Sequence, residues 1–360
     1  MVAGRAPERI RSEAAWAASR RCLVSCIGRS SQTAPCRVRG AAVTAAPALR
    51  AAGCRTPLDP RRLAWRHMMR GTRPSAGGGD RGFLLEARSD MDFALPDNRV
   101  LGWAEYGDPA GVPVVYLHGT PGSRLSRPDD TALVDVRLIT VDRPGYGRST
   151  PVRRPTLFGV ADAVGALMAS LGIERFGVVG FSGGAPYAVA CGARFPQRLT
   201  GVVAAGFTGP YRELQTVRGR QRLQAWTIRN IPGLGRSYVT RAAAWYAEDP
   251  LKQHRELLAT GQDTWLQPSG ESNLEGARQG AAGLVGDWLA TDIRPWGFHL
   301  RDVPCRVLVW AGRHDPGRAV ADAPLIAARM PDAEVRIGED AAHTPSPAHW
   351  REMLTWVRGG

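Results

Sequence analysis

The 360 residues, 44% of them hydrophobic, suffice for a sizeable core and by length alone allow two or three domains. The formal charge of +14 is not spread evenly: residues 1–82 hold 16 arginines, no lysine and four acids, a net +12, which leaves residues 83–360 close to neutral at +2. The overall charge therefore gives no ground for nucleic-acid binding by the folded body.

Residues 1–82 show no sustained hydrophobic period and end in Gly77-Gly78-Gly79. A segment rich in Arg, Ala, Ser, Gly and Pro cannot bury a core, so this basic extension is expected to be disordered. Its Arg- and Ser-rich, acid-poor composition also fits an organellar transit peptide. The longest apolar stretch, 22–27, is too short for a secretion signal or a membrane span, and no transmembrane segment is expected. Cys22, Cys26, Cys36 and Cys54 lie in the extension at spacings that match no zinc pattern. Cys191 and Cys305 read as small buried thiols in a reducing compartment, and a cytoplasmic location is expected.

Order is expected from about residue 83. Residues 91–94 and 100–106 read as two strands joined by a turn at Pro96-Asp97-Asn98. The apolar run 112–118 reads as a central parallel strand, and 136–141 as the next. Leu157, Val160, Val164, Leu167, Met168 and Leu171 recur at helical spacing behind Thr156, a good N-cap. A strand at 176–181, a helix at 183–195 and a strand at 199–205 follow. From there to about 302 the pattern is helical, with helices expected at 211–230, 237–247 and 271–289. Alternation resumes with a strand at 306–311, a helix at 320–330, a strand at 333–337 and a helix at 347–357. The chain thus predicts a doubly wound, mostly parallel α/β domain over 83–358, interrupted by a helical cap at 208–302.

The residues between the strand at 176–181 and its helix read Gly180-Phe181-Ser182-Gly183-Gly184. Such a G-x-S-x-G turn must be tight, and side chains beside the serine would collide with the strand or the helix. The turn lifts Ser182 Oγ clear of the sheet edge and sets it at a helix N-terminus, where backbone N–H groups stabilise an anion. That geometry suits a nucleophile. Five residues alone fit a plain glycine turn as well as a nucleophile; the strand before them and the helix after them give the second reading weight.

With these elements in place the chain resembles the α/β-hydrolase superfamily, in its capped branch of proline iminopeptidase-like and esterase-like enzymes. The resemblance covers about 91–358. Besides the Ser182 turn it rests on His118-Gly119-Thr120-Pro121-Gly122, on Asp142-Arg143-Pro144-Gly145-Tyr146-Gly147-Arg148-Ser149, on Gly312-Arg313-His314-Asp315 and on Ala342-His343-Thr344-Pro345. The family order of nucleophile, acid and base implies Ser182, Asp315 and His343 as a catalytic triad. It also implies an oxyanion hole made by the backbone N–H groups of Thr120 and Gly183. Asp142 and Asp287 stand as alternative acids in less typical places, and His118 reads as structural. No cofactor and no metal are implied, and a serine at the elbow argues against the dehalogenase and epoxide-hydrolase relatives, which use aspartate there.

The expected function is a serine hydrolase that cleaves an ester, or an amide, of a small to medium apolar substrate. An aminopeptidase, a C–C bond hydrolase and an acyltransferase use the same triad. A receptor that binds a small molecule without turnover is the alternative from a different class, because fold alone does not fix function.

Overall fold

The computed structural model describes residues 87–209, 226, 230–252, 255 and 267–359. The extension over 1–82 lies outside the described residues, as does the helix expected at 211–230 apart from Trp226 and Asn230. The strands are β1 (Ser89–Ala94), β2 (Val100–Gly107), β3 (Val112–Leu117), β4 (Val136–Val141), β5 (Phe176–Phe181), β6 (Leu199–Ala205), β7 (Val307–Gly312) and β8 (Ala333–Gly338). They form one eight-stranded sheet in the order β1-β2-β4-β3-β5-β6-β7-β8. β1 and β2 pair as an antiparallel hairpin and β2 runs antiparallel to β4, while the remaining neighbours are all parallel.

The central strands read as unbroken apolar runs because both of their faces are covered. Val115, Leu117, Val178, Val202 and Val309 face one core, which is closed by α1 (Leu157–Ser170), α2 (Ala185–Arg194) and a later helix at Ala319–Ala327. Val114, Tyr116, Val179, Val203 and Trp310 face the other, closed by a last helix at Pro347–Val357. Thr156 caps α1 as its sequence predicts, its hydroxyl accepting the Gly159 N–H at 3.0 Å.

Between β6 and β7 the described residues hold three α-helices, α3 (Pro232–Glu248), α4 (Gln267–Gly276) and α5 (Ala282–Trp288), and no strand. Helix α3 starts earlier than expected because Pro232, with its fixed φ, begins it. The single helix expected at 271–289 is instead two. Gly280 sits at φ 65°, a left-handed conformation that a glycine enters freely and that ends a helical run, so the chain turns there between α4 and α5. The helices after β7 and β8 complete the set as α6 (Ala319–Ala327) and α7 (Pro347–Val357).

The crossing of β5 into α2 leaves no space beside its glycines. A Cβ on Gly184 would press on Leu117 O and lie 2.6 Å from His118 O, both backbone atoms of a buried segment. Gly233, exposed in the first turn of α3, has nothing within 4 Å of the same position. Gly184→Ala should therefore lose at least about 1–3 kcal/mol of stability, whereas Gly233→Ala should gain roughly 0.5–1 kcal/mol through helix propensity. Urea denaturation midpoints check both, and a Gly184→Ala protein as stable as wild type would contradict the packing described at the crossing.

Candidate active site

Four loops at the C-terminal ends of β3, β5, β7 and β8 supply the expected site residues. Ser182 follows β5 directly and adopts φ 51°, a left-handed conformation costly for a side chain with a Cβ. The strain persists because the surroundings fix it: a Cβ on Gly180 would lie 2.5 Å from Gly184 O. The strand end and the helix start are thus in backbone contact, and the serine between them must turn outward.

His343 lies in the loop after β8, and its Nε2 is 2.9 Å from Ser182 Oγ. Its Nδ1 is 2.7 Å from Asp315 Oδ2, in the loop after β7. A carboxylate can only accept, so Nδ1 carries the proton and Nε2 of the neutral ring is left to accept from the serine hydroxyl. Asp315 is fixed at its other oxygen too, which accepts the Gly317 N–H at 2.6 Å. Burial pushes the Asp315 carboxyl up, but the hydrogen bond and charge of His343 and the Gly317 N–H outweigh this and hold it below its ordinary value. The imidazole lies between Gly206, whose Cβ would come within 3.1 Å of Cε1, and the Phe181 ring, 5.3 Å away between centroids. The His314 N–H donates to Ala341 O at 2.9 Å, which ties the two loops together.

Thr120 and Gly183 lie against one another. A Cβ on Gly183 would overlap the Thr120 hydroxyl and lie 3.3 Å from Thr120 N, so the two backbone N–H groups named from sequence are neighbours. Gly119 lies against the serine itself, its Cβ position 3.6 Å from Ser182 Cβ.

The two alternative acids are engaged elsewhere. Asp142 accepts from Arg124 N at 2.6 Å, from the Arg124 guanidinium at 2.9 Å and from Arg148 N at 2.9 Å. Burial is the larger influence on it and leaves its carboxyl above the ordinary value, against the pull of Arg124. Asp287, on α5, accepts from Arg143 at 3.0 and 2.5 Å, from the Thr120 hydroxyl at 2.6 Å, and from the Tyr146 and Tyr187 hydroxyls at 2.9 and 2.8 Å. Neither is hydrogen-bonded to His343; Asp315 is. His118 is buried as well. Burial and the charge of Arg143 hold it well below its ordinary value, hence neutral, with Nδ1–H donating to Gly119 O at 2.7 Å and Nε2 accepting the Arg143 N–H at 3.3 Å.

Sequence reasoning missed the part played by Arg143, Tyr146, Tyr187 and Asp287. One signal was available: Asp287 interrupts an apolar helical pattern, and a carboxylate on a buried helix face needs a cation. Among the described residues no group of three or more His, Cys, Asp or Glu is placed to hold a metal ion, and no helix is long and apolar enough to cross a membrane.

Burial pushes Asp287 up, but the charge and hydrogen bonds of Arg143 and the Thr120 hydroxyl outweigh it and leave its carboxyl below the ordinary value. A carboxyl depressed on folding stabilises the fold fully above the unfolded pKa, about 3.9, and loses that contribution as pH falls through the native value. Unfolding free energy should therefore drop as pH is lowered from 6 to 3, and more shallowly in Asp287→Asn, whose unfolded state has one proton fewer to take up. Urea titrations across that range check this; equal slopes in both proteins would contradict an ionised Asp287.

The sequence profile of the alpha/beta hydrolase fold family matches residues 112–347. A proline iminopeptidase of Arabidopsis thaliana is 31% identical over 128 residues, 34% of this chain and 33% of its own length. One of Xylella fastidiosa is 35% identical over 124 residues, 32% of this chain and 38% of its own. The similar stretch is thus only about a third of each curated relative. Among solved structures, a hydrolase of Pseudomonas aeruginosa superposes with a TM-score of 0.58 at 19% identity, over 76% of this chain and 100% of that one. An esterase of Exiguobacterium antarcticum gives 0.56 at 17%, with the same coverage. At those identities the superpositions speak for the fold, and with the profile match over most of the folded body, the chain belongs to the α/β-hydrolase fold family.

Proposed function

We propose that the chain is a serine hydrolase that cleaves an ester of a small to medium apolar acyl group through an acyl-enzyme on Ser182. The observation that carries the reading is the series Asp315–His343–Ser182, joined at 2.7 and 2.9 Å at a left-handed serine. A serine hydroxyl is a poor nucleophile at neutral pH and needs a base within hydrogen-bond reach, itself oriented by a carboxylate. Ser182 Oγ bonds to the substrate carbonyl carbon and its proton passes to His343 Nε2. The carbonyl oxygen becomes an anion held by the Thr120 and Gly183 N–H groups. The bond to the leaving alcohol then breaks as His343 returns the proton to it. Water attacks the acyl-enzyme with His343 again as base, the acid departs, and Ser182 regains its proton.

In this reading residues 83–358 are the catalytic domain and 208–302 a helical cap over Ser182. The hydrogen bond from the Thr120 hydroxyl to Asp287 of α5 supports that placement. The basic extension over 1–82 takes no part in the chemistry. Free Cys191 and Cys305 support a reducing compartment, the cytoplasm.

A second reading, release of an N-terminal residue from a peptide, draws support from the curated relatives, which are named proline iminopeptidase. It uses the same residues on an amide.

A panel of p-nitrophenyl esters of increasing chain length beside aminoacyl p-nitroanilides tests both. The expected result is ester turnover with kcat/KM greatest on short to medium chains. Asp315→Asn should lower kcat by about 10⁴, through loss of the tautomer, and His343→Ala by up to ~10⁶. Faster turnover of a prolyl anilide than of any ester would select the second reading. A folded protein that turns over neither substrate class would overturn the hydrolase reading in favour of a binding protein.

A further inference from the structure

We infer that Asp287, on the helix inserted between β6 and β7, is a positioning residue that fixes the Thr120 backbone N–H in the geometry needed to hold the oxyanion. The inference rests on the hydrolase reading and extends it to a residue outside the hydrogen-bond series at Ser182.

Thr120 Oγ1 lies 2.6 Å from Asp287 Oδ2 and 3.0 Å from an Arg143 nitrogen. The guanidinium can only donate and the carboxylate can only accept, so the hydroxyl gives its proton to Asp287 and takes one from Arg143. The donor of the side chain and one of its acceptor sites are thereby engaged by fixed charged groups, which hold the Thr120 χ1 rotor in this orientation. Arg143 also binds the two preceding carbonyls of the same loop, His118 O and, at 3.2 Å, Gly119 O. The loop that presents the Thr120 N–H is thus held on three successive residues by one ion pair. Both partners are almost wholly removed from water: the Arg143 side chain is 0% exposed and that of Asp287 4%. In so dry a site these charge-assisted bonds are short and directional.

The carboxylate arrives there by a close approach of α5 that two glycines permit. A Cβ on Gly145 would lie 2.8 Å from Gly283 N, and a Cβ on Gly283 would strike the Tyr146 ring at 2.5 Å. Two neighbours of the inserted segment press on the same two loops. Gln279 donates to Gly147 O and Ser149 O at 2.9 and 2.8 Å, and the Ser272 hydroxyl accepts the Ser123 N–H at 2.8 Å. This face of the insert is therefore fixed to the loops after β3 and β4. Tyr187, on α2 behind Ser182, donates to the other Asp287 oxygen at 2.8 Å, so the same carboxylate also ties the loop to the helix that follows the nucleophile.

A donor displaced from an oxyanion weakens the transition state more than the ground state, because the charge is present only in the former. Asp287→Asn should therefore lower kcat on the best ester of the panel about 30- to 100-fold, with KM changed less than threefold; outright loss of a donor costs ~10²–10³. Affinity for an alkyl trifluoromethyl ketone, whose adduct on Ser182 carries an oxyanion, should fall by a similar factor. Thr120→Val cuts the link at its other end with little change of shape, and should show the same split between kcat and KM. Because both changes break one link, the double variant should cost no more than about twice the worse single one.

Wild-type turnover tests the hydrolase reading separately. If wild type hydrolyses the ester and Thr120→Val or a folded Asp287→Asn keeps kcat within twofold, the positioning role is overturned while the reading stands. An equal fall in substrate and ketone affinity with unchanged kcat would also overturn it, as a general loosening of the site. If Asp287→Asn does not fold, Thr120→Val and the ketone decide alone.

Discussion

No side chain fits at Gly180, Gly183 or Gly184 around Ser182, and much of the site geometry follows from that constraint. Gly180 meets the backbone of Gly184, and Gly184 meets that of Leu117 and His118. The serine is held at φ 51° between a buried strand and a buried helix. The left-handed conformation is an unfavourable local choice that the packing of β3, β5 and α2 maintains. It aims one hydroxyl at the loops after β7 and β8, which are themselves joined through His314 and Ala341.

Around that turn the fold buries two arginine–carboxylate pairs in sequence neighbours, Arg124 with Asp142 and Arg143 with Asp287. Buried pairs of this kind often contribute little net stability, since both ions give up water, whereas removal of one partner costs about 3–5 kcal/mol. Their evident effect here is geometric. Asp142 gathers the loop after β3 through Arg124 and its own loop through Arg148. Asp287 gathers the same loop through Thr120 and the inserted helices through its own backbone. Glu275 of α4 adds a third contact, at 2.8 Å from Arg124. Among the described residues the inserted segment is therefore seated on the hydrolase body by charge and by glycine contacts, beside apolar contacts of Ala290, Trp296 and Leu300 with the main core.

The sheet was legible in the sequence because its central strands are short apolar runs bounded by turn residues, and strand ends deviated by only one or two positions. The meeting of Ser182, His343 and Asp315 was legible through strand order, since open α/β sheets gather their loops at one edge. The break at Gly280 was not, because a lone glycine in a helical pattern is tolerated as often as it turns the chain. Nor was the destination of Asp287. Its partners Thr120, Arg143, Tyr146 and Tyr187 are at least 100 residues away, and no local period encodes a pairing at that separation. Of Asp142, Asp287 and Asp315, the one hydrogen-bonded to His343 is Asp315, and that pairing is a tertiary fact.

The central claim is that Ser182 is the activated nucleophile, and a fluorophosphonate probe addresses it without knowledge of the substrate. The folded protein is incubated with the probe, its intact mass recorded and the adduct mapped by peptide sequencing. The account predicts one phosphonate per chain, on the peptide that contains Ser182, and none in Ser182→Ala. A folded wild-type protein that stays unlabelled, or a Ser182→Ala protein labelled to the same extent, would contradict it.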